Sequence, residues 1–407
     1  MTINTKNALL ALSLIGSVAI YPSGDNDKVF GRNIVTGRGN VIIKHYGSGT
    51  IHEYYDNDNR PGFMCGEFIE KRADGFKVTN IDCKAPASDI KTNKIQLTGT
   101  KKRVPLKDAI DKVSLPPYLA EVTISDRDSY IECDEAVFGS DLEIKVRNGK
   151  LGHKVKKNTS TKFKGTGGKP LCTVFAKMLN DALLIDGSSN VHVNTPSAKH
   201  ITTSSFSRVS TGESAAGVES IDASGSAKVT MPYASALKKI VAASFSDVST
   251  GESATSVTSI DVSGSAKVRV PNAPMLKKIK ADSFSDVSIG DGVTSVESIN
   301  VSGSAKVSIP NLNTKTFNAV LDSFSRVNVR GNCDQQSVTA SGSSEYNASD
   351  LKSNFATVNA SSFSRVKLWV NHVLGGWANG SASVQYRGNA VDNVKTSSFA
   401  SCKKIRS

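Results

Sequence analysis

The chain is poor in the side chains that most enzymes use for metal or cofactor chemistry. Its 407 residues include six cysteines, six scattered histidines and two tryptophans, and aromatic residues make up 6% of it. No two cysteines stand at the C-x-x-C spacing of zinc or redox sites, and no H-E-x-x-H pattern occurs. The sequence therefore predicts no metal ion, no cofactor and no catalytic residues.

Long apolar runs are also missing, apart from a short one near the N-terminus. Residues 8–21 are largely apolar and follow a segment with one lysine and no acid, which is typical of a secretory signal and is too short to span a bilayer comfortably. We predict a signal peptide over residues 1–21. The protein is then expected in the periplasm, on the outer surface or secreted, with no transmembrane segment after signal removal. A buried N-terminal strand or helix stays open as the alternative.

In the oxidising compartment that export implies, cysteines can form disulfides. Cys65 and Cys83 bracket one segment outside the repeats described below and are the preferred disulfide pair. Cys133, Cys172, Cys333 and Cys402 are left as candidates for free buried thiols.

Acidic residues are outnumbered, and the formal net charge is +13. Such a charge favours contact with anionic surfaces. Because an exported protein does not meet nucleic acid, we expect the partner to be a glycan, an anionic component of the cell envelope or a protein, and no nucleic acid.

Regular repetition is the strongest signal in the sequence. From about Leu183 to Cys402, twelve units of about nineteen residues follow one another, each with a valine or its substitute at the same position. This valine column consists of Val191, Val209, Val229, Val248, Val268, Val287, Val307, Val327, Tyr346, Val366, Val384 and Cys402.

Within a unit, apolar or small residues alternate with polar ones, which predicts strands with one buried face. The linking stretches are rich in Gly, Ser and Thr and lack helical periodicity. An all-β parallel β-solenoid over residues 183–407 is therefore predicted. The small residues Ser283 and Gly303 stand in mid-strand, where we expect a corner.

Charged residues also form a column, immediately before the valine column. In the central units the column alternates basic and acidic residues, so in-register stacking would place most lysines beside an acid. Its first six members are Arg208, Lys228, Asp247, Lys267, Asp286 and Lys306. We expect these charges to set register, and this weakens any prediction of a polyanion site.

One aromatic residue recurs in every second unit and alternates with serine. Strand parity points these rings outward, where they would form a candidate binding strip for stacking on a sugar or a partner. The alternative is that the corner reverses parity or a linker covers each ring. The rings are Phe206, Phe245, Phe284, Phe324, Phe363 and Phe399, and the alternating serines are Ser188, Ser226, Ser265, Ser304, Ser343 and Ser381.

The front part, residues 25–182, is less regular and β-rich, with an insertion at about 51–118. Val104 to Val113 is the best helical candidate, since Pro116 and Pro117 would end it. Asn148-Gly149 predicts a tight hairpin turn.

The ordered motifs along the chain resemble a known family, the putative auto-transporter adhesin "head GIN" domain proteins of bacteria. The resemblance rests on residues 39–43, 131–151, 183–191 and 380–389 and on the repeated Ser-Gly-Ser-x-x-Val units. It implies an exported β-helical protein of the cell envelope with no established activity. The family often has Asp or Asn where this chain has Lys228, Lys267 and Lys306, which puts a shared ligand in doubt.

Two functions follow as hypotheses. The first is an exported, non-enzymatic β-solenoid for surface binding or adhesion. The alternative is a carbohydrate-active β-helix enzyme, a polysaccharide lyase or glycosidase. Such enzymes need clustered carboxylates, or a base beside a metal held by acids, whereas Asp247 and Asp286 stand singly between lysines.

Overall fold

The computed structural model describes residues 39–405, apart from 47–48, 57–60, 73–74, 85–90, 156–158, 165–168, 291–292 and 295, with side chains described from residue 94 onward except for 156–168 and the later gaps. The predicted signal peptide lies outside these residues, and so do the side chains of Cys65 and Cys83. The chain divides into two compact units, Met1–Thr92 with Lys157–Ser160, and Asn93–Lys156 with Thr161–Ser407.

The first unit contains an antiparallel sheet in which each strand pairs with the next one along the chain. Cys65 and Cys83 lie on its last two strands, which are neighbours. The strands are β1 (Gly39–Tyr46), β2 (Gly49–Asp56), β3 (Pro61–Arg72) and β4 (Gly75–Lys84).

The segment between β4 and the solenoid lies mostly in the second unit and is also built from strands, with one short helix. The strands are β5 (Lys91–Gln96), β6 (Lys101–Pro105), β7 (Lys112–Val113), β8 (Ala120–Ser125), β9 (Tyr130–Asp134), β10 (Leu142–Arg147), β11 (Lys150–Val155), β12 (Thr159–Lys164) and β13 (Cys172–Ala176), and the helix α1 is Glu135–Phe138.

Two local predictions for this segment had opposite outcomes. The helix predicted over Val104 to Val113 is wrong, because Val104 lies in β6, whose backbone pairs antiparallel with the distant strand β9. The hairpin turn is confirmed. Asn148 and Gly149 both have positive φ, 48° and 71°, and join the antiparallel strands β10 and β11, as a type I′ turn requires.

A disulfide in this segment also differs from expectation. Cys133 and Cys172, which the sequence left as candidates for free thiols, are bonded to each other. They stand directly opposite in the antiparallel pair of β9 and β13, with a Cα–Cα distance of 4.2 Å. Cys333 and Cys402 are free.

The remaining strands stack in parallel as a β-solenoid. They are β14 (Ala182–Ile185), β15 (Asn190–Asn194), β16 (His200–Thr203), β17 (Arg208–Thr211), β18 (Ser220–Ala223), β19 (Lys228–Met231), β20 (Lys239–Ala242), β21 (Asp247–Thr250), β22 (Ser259–Val262), β23 (Lys267–Val270), β24 (Lys278–Ala281), β25 (Asp286–Ile289), β26 (Ser298–Val301), β27 (Lys306–Leu321), β28 (Arg326–Ala340), β29 (Glu345–Ala360), β30 (Arg365–Ala378), β31 (Ser383–Arg387), β32 (Val391–Thr396) and β33 (Ser401–Lys404), with a 3-10 helix at Glu213–Gly217.

The predicted fold and register are confirmed. Every member of the valine column from Val191 to Cys402 pairs with the next one. The parallel stack also starts before Leu183, since β7 and β8 pair in parallel with β14 and β15.

Each turn of the solenoid, here called a rung, has two strand sides that meet at a corner and a third side that links them. Strands such as β24 and β25 alternate exposed and buried residues, so their valines, isoleucines and alanines fill the interior. In the central rungs the third side contributes apolar residues to the same core, for example Ala273 and Leu276. Burial of one continuous core between stacked rungs stabilises the array.

Candidate functional site

The corner between the two strand sides is a tight turn whose central residue has left-handed backbone geometry. In the rungs that carry a phenylalanine this residue is a serine, such as Ser283 with φ 61°. In the intervening rungs it is a glycine, such as Gly303 with φ 64°. The predicted corner at these two positions is confirmed. The phenylalanine follows the left-handed serine directly, and its N–H donates to the glycine carbonyl of the preceding rung, as Phe284 does to Gly264 at 2.7 Å.

Crowding at the corner explains why serine and glycine alternate. A Cβ placed on Gly303 would lie 2.8 Å from the Cα and the N of Ser283 in the rung before it, and one on Gly264 would lie equally close to Ser244. These distances are shorter than any real contact, so a rung stacked on a serine corner needs glycine. The sequence unit is therefore a double rung.

The inner side of the corner has no room for a ring. The residue after each phenylalanine points inward and is small, as Ser285 and Ser325 are, and both are buried. The matching residues of the serine rungs, such as Ala266 and Ala305, are also small and buried. The ring of each phenylalanine therefore has to face solvent.

The six phenylalanine rings are among the most exposed large apolar side chains of the described residues. Exposed fractions run from 66% at Phe324 and Phe363, through 71% at Phe206 and Phe245 and 73% at Phe284, to 89% at Phe399. The outward direction expected from strand parity is thus observed, and no described linker covers the rings. We call these six residues the Phe strip; a binding role for it stays a prediction.

The alternating serines leave gaps between the rings. Ser226 and Ser343 are exposed, and Ser265 and Ser304 are half-exposed. Since neighbouring rungs lie about 4.8 Å apart, successive rings are about 9.6 Å apart with one serine between them. The strip is a regular row in which one ring alternates with one serine.

Acidic residues beside the strip are held in their ionised form. The Ser341 hydroxyl and the Ser323 N–H lower the pKa of Asp322, and the Oγ of Ser341 lies 2.7 Å from its Oδ1. The Gly187 N–H, at 2.6 Å, and the Ser204 hydroxyl lower the pKa of Asp186 in the same way. These carboxylates stay charged at neutral pH.

The charged column stacks as predicted, but the ion pairs differ. Lys228, Asp247, Lys267, Asp286 and Lys306 are neighbours in register, in that order. Among the described residues, however, the direct partner of Asp247 is Arg269, with Nη1 3.3 Å from Oδ1, rather than a lysine of the column.

A second ion pair lies in a parallel column. Lys238 donates to Glu219 at 2.8 Å and lowers the pKa of that carboxyl. Such exposed pairs contribute little to stability, and a role in setting register stays a prediction.

Sequence reasoning missed a polar cluster buried in the later rungs. Tyr346 is fully buried in the valine column, and its hydroxyl donates to Gln336 Oε1 at 3.2 Å. Gln336 Nε2 donates to Ser353 Oγ at 2.7 Å, and Ser353 donates to the Trp369 carbonyl. The only hint in the sequence was a tyrosine in place of valine.

Other candidate features are less developed. A cavity of about 350 Å³ beside the disulfide is lined mainly by apolar groups such as Ile131, Phe138 and Ile144. In the described part of the chain, no three His, Cys, Asp or Glu side chains are grouped to hold a metal ion. The described helices are all too short to cross a membrane.

Part of the chain matches the model of a known protein family. A model of the family described as "Putative auto-transporter adhesin, head GIN domain" matches residues 267–390. No curated protein matches the chain.

Several solved structures also show similarity to the chain. A "putative lipid binding protein" from Parabacteroides distasonis is 16% identical, with a TM-score of 0.28, and the match covers 77% of this chain and 100% of that one. A putative adhesin from Bacteroides fragilis is 11% identical, with a TM-score of 0.27, 76% of this chain and 100% of that one being covered. The fold assignment rests on the strand register above and not on these likenesses. Over residues 267–390, which include β23 to β31, this chain therefore carries the sequence pattern of the putative auto-transporter adhesin, head GIN domain family.

Proposed function

We propose that this protein is an exported, non-enzymatic β-solenoid that acts by binding or adhesion at the cell surface or in the periplasm. The observation that carries the proposal is the Phe strip, six rings that are each at least 66% exposed. Exposure of several apolar rings to water is unfavourable in the isolated protein, and groups of exposed apolar side chains are typical of interaction sites.

The repeated placement of the rings supports a binding role over an accident of packing. A single exposed phenylalanine needs no explanation. Six at equivalent corners, each beside a serine gap, form an ordered surface on a rigid scaffold. The corner turns that carry the rings are held to the neighbouring rungs by backbone hydrogen bonds, such as the one from the Phe284 N–H to the Gly264 carbonyl.

Export has two supports. The first is the apolar segment at residues 8–21, with the pattern of a secretory signal. The second is the disulfide of Cys133 and Cys172, since disulfides persist in oxidising compartments. We expect cell fractionation to find the protein outside the cytoplasm with residues 1–21 removed.

The partner proposed from the sequence is a glycan, an anionic envelope component or a protein. The test compares the purified full chain with a six-serine variant in which every residue of the Phe strip is replaced by serine. Serine occupies the same corner position in alternate rungs, so the variant should fold. Phe355→Ser is the matched control, because Phe355 is 44% exposed but lies outside the strip.

Binding is measured on a glycan array, on envelope extracts and by self-association, followed by a reducing-end assay on each bound glycan. We expect the six-serine change to weaken binding about tenfold or more, which corresponds to about 1.4 kcal/mol, and the control to bind normally. Equal binding by the six-serine variant and the control would show that the Phe strip does not bind these partners. Release of new reducing ends would favour the polysaccharide lyase or glycosidase alternative.

A further inference from the structure

The Phe strip is complementary to itself. Its rings are about 9.6 Å apart, so a ring inserted midway between two of them would lie about 4.8 Å from each. Aromatic pairs in proteins have centroid separations of 4.5–7 Å. A second strip shifted by one rung would therefore place its rings in the gaps of the first at a normal stacking distance.

We propose that the partner of the Phe strip is a second copy of this chain, packed antiparallel so that the rings of each copy fill the serine gaps of the other. The inference rests on the proposed function, since it takes the strip as the binding surface and names what binds there. The result is homotypic association through a closed, two-fold symmetric contact.

Two-fold symmetry can engage every ring of the strip. An axis perpendicular to the strip, between the rungs of Phe284 and Ser304, sets each ring opposite a serine. The pairs are Phe284 with Ser304, Phe324 with Ser265, Phe245 with Ser343, Phe363 with Ser226, Phe206 with Ser381 and Phe399 with Ser188. Six rings of one kind alternating with six gaps make this match possible.

The buried area is sufficient for a stable pair. A phenylalanine buries about 150–250 Å² in full, and about two-thirds or more of each ring is available here. Six rings thus offer roughly 600–1,000 Å² per copy, and specific interfaces bury about 800 Å² per partner.

Charge beside the strip favours a second copy over a polyanion. Counted from the phenylalanines of the strip and the serines that alternate with them, the residues two positions before and two positions after include six basic and six acidic side chains, so the net charge of +13 is not concentrated there. They are Arg208, Lys228, Lys267, Lys306, Arg326 and Arg365 against Asp186, Asp247, Asp282, Asp286, Asp322 and Glu345. The basic and acidic side chains beside the strip cancel in charge, so the strips of two copies can approach without strong net repulsion.

Sedimentation equilibrium of the full chain over a range of concentrations tests the inference with two opposite variants. Replacing Phe245, Phe284 and Phe324 by serine removes rings, and we expect it to weaken the dimer at least tenfold. Ser265→Phe combined with Ser304→Phe fills two gaps with rings. We expect this variant to weaken the dimer as well, because no slot is left for the partner.

The gap-filled variant distinguishes interdigitation of the rings from nonspecific hydrophobic association, because it is more apolar than the natural chain. Stronger association of this variant would overturn the proposed packing. Phe355→Ser should associate like the natural chain, and circular dichroism checks the fold of each variant. A natural chain that stays monomeric at all concentrations overturns the inference. The proposed function would then survive only if the strip binds a glycan, an envelope component or another protein in the binding assays.

Discussion

The central rungs and the later rungs of the solenoid bury the same continuous core but differ in the structure of their third side. In the central rungs the strands are four residues long, as in β23 and β25, and the third side is made of turns. In the later rungs β27 to β30 run for 14 to 16 residues, so strand continues along the third side. The valine column and the corner pass through both sets unchanged in register.

The exposure of the Phe strip is similar in the two sets of rungs. Phe284 in a central rung is 73% exposed and Phe363 in a later rung is 66% exposed. Even the core differs, since the later rungs bury the cluster of Tyr346, Gln336 and Ser353 where the central rungs bury only smaller or apolar groups. The stacking of the rungs therefore determines the corner geometry. The packing of the core and of the third side does not require a phenylalanine at the corner.

The largest expected effect is on the corner glycines of both sets. Gly264→Ala and Gly342→Ala each put a Cβ about 2.8 Å from the Cα of the serine in the rung before, at positive φ. We expect each to lower the free energy of unfolding by about 3 kcal/mol, measured by urea denaturation. Ser283→Gly is the control and should stay within about 1 kcal/mol. A tolerated Gly342→Ala would show that the later corner is built differently.

Tyr346→Phe tests the buried cluster that distinguishes the later rungs. It leaves Gln336 Oε1 without its donor in the core. We expect a loss of about 1–2 kcal/mol in unfolding free energy, the cost of one unsatisfied buried acceptor. Tyr233→Phe, at an exposed tyrosine of the central rungs, should change nothing measurable. Equal effects of the two would mean that the cluster adds no stability.

Alkaline pH should act on the later rungs first. Burial raises the pKa of the Cys333 thiol from its ordinary value near 9 to about 12, and burial raises the pKa of the Tyr346 hydroxyl well above 10. The unfolded chain loses these protons first, so the folded state holds more protons and stability falls as pH rises from about 9 towards 12.

The measurement is the urea midpoint at several pH values above 8. We expect a falling midpoint in the natural chain and a shallower fall when Cys333→Ala and Tyr346→Phe are combined. The same slope in both proteins would contradict the assignment of the pH effect to these two groups.

The smallest expected effect is on the rings themselves. Phe284→Ser and Phe363→Ser remove mostly exposed surface, so each should change the unfolding free energy of the dilute monomer by no more than about 0.5 kcal/mol. Differential scanning calorimetry at low concentration measures this. A loss of 2 kcal/mol or more, the scale of a buried side chain, at either position would show that the ring packs within its own chain.

The sequence predicted the periodic features well because a solenoid repeats one contact many times. The valine column, the corner at Ser283 and Gly303 and the outward rings all follow from spacing and parity. Non-periodic contacts were not accessible in this way. The pairing of Lys101–Pro105 with Tyr130–Asp134 and the Cys133–Cys172 disulfide join segments far apart in sequence. The contact of Asp247 with Arg269 depends on how side chains lean along a strand.

Hydroxyl-radical footprinting of the six phenylalanines at low and high protein concentration tests the central claim most directly. We expect strong labelling of all six rings in dilute protein, at a level well above the labelling of buried Phe317. Labelling of the strip should then fall at high concentration, while that of Phe355 stays constant. Rings already protected in dilute protein would contradict the exposed strip, and equal labelling at both concentrations would contradict the pairing of two copies.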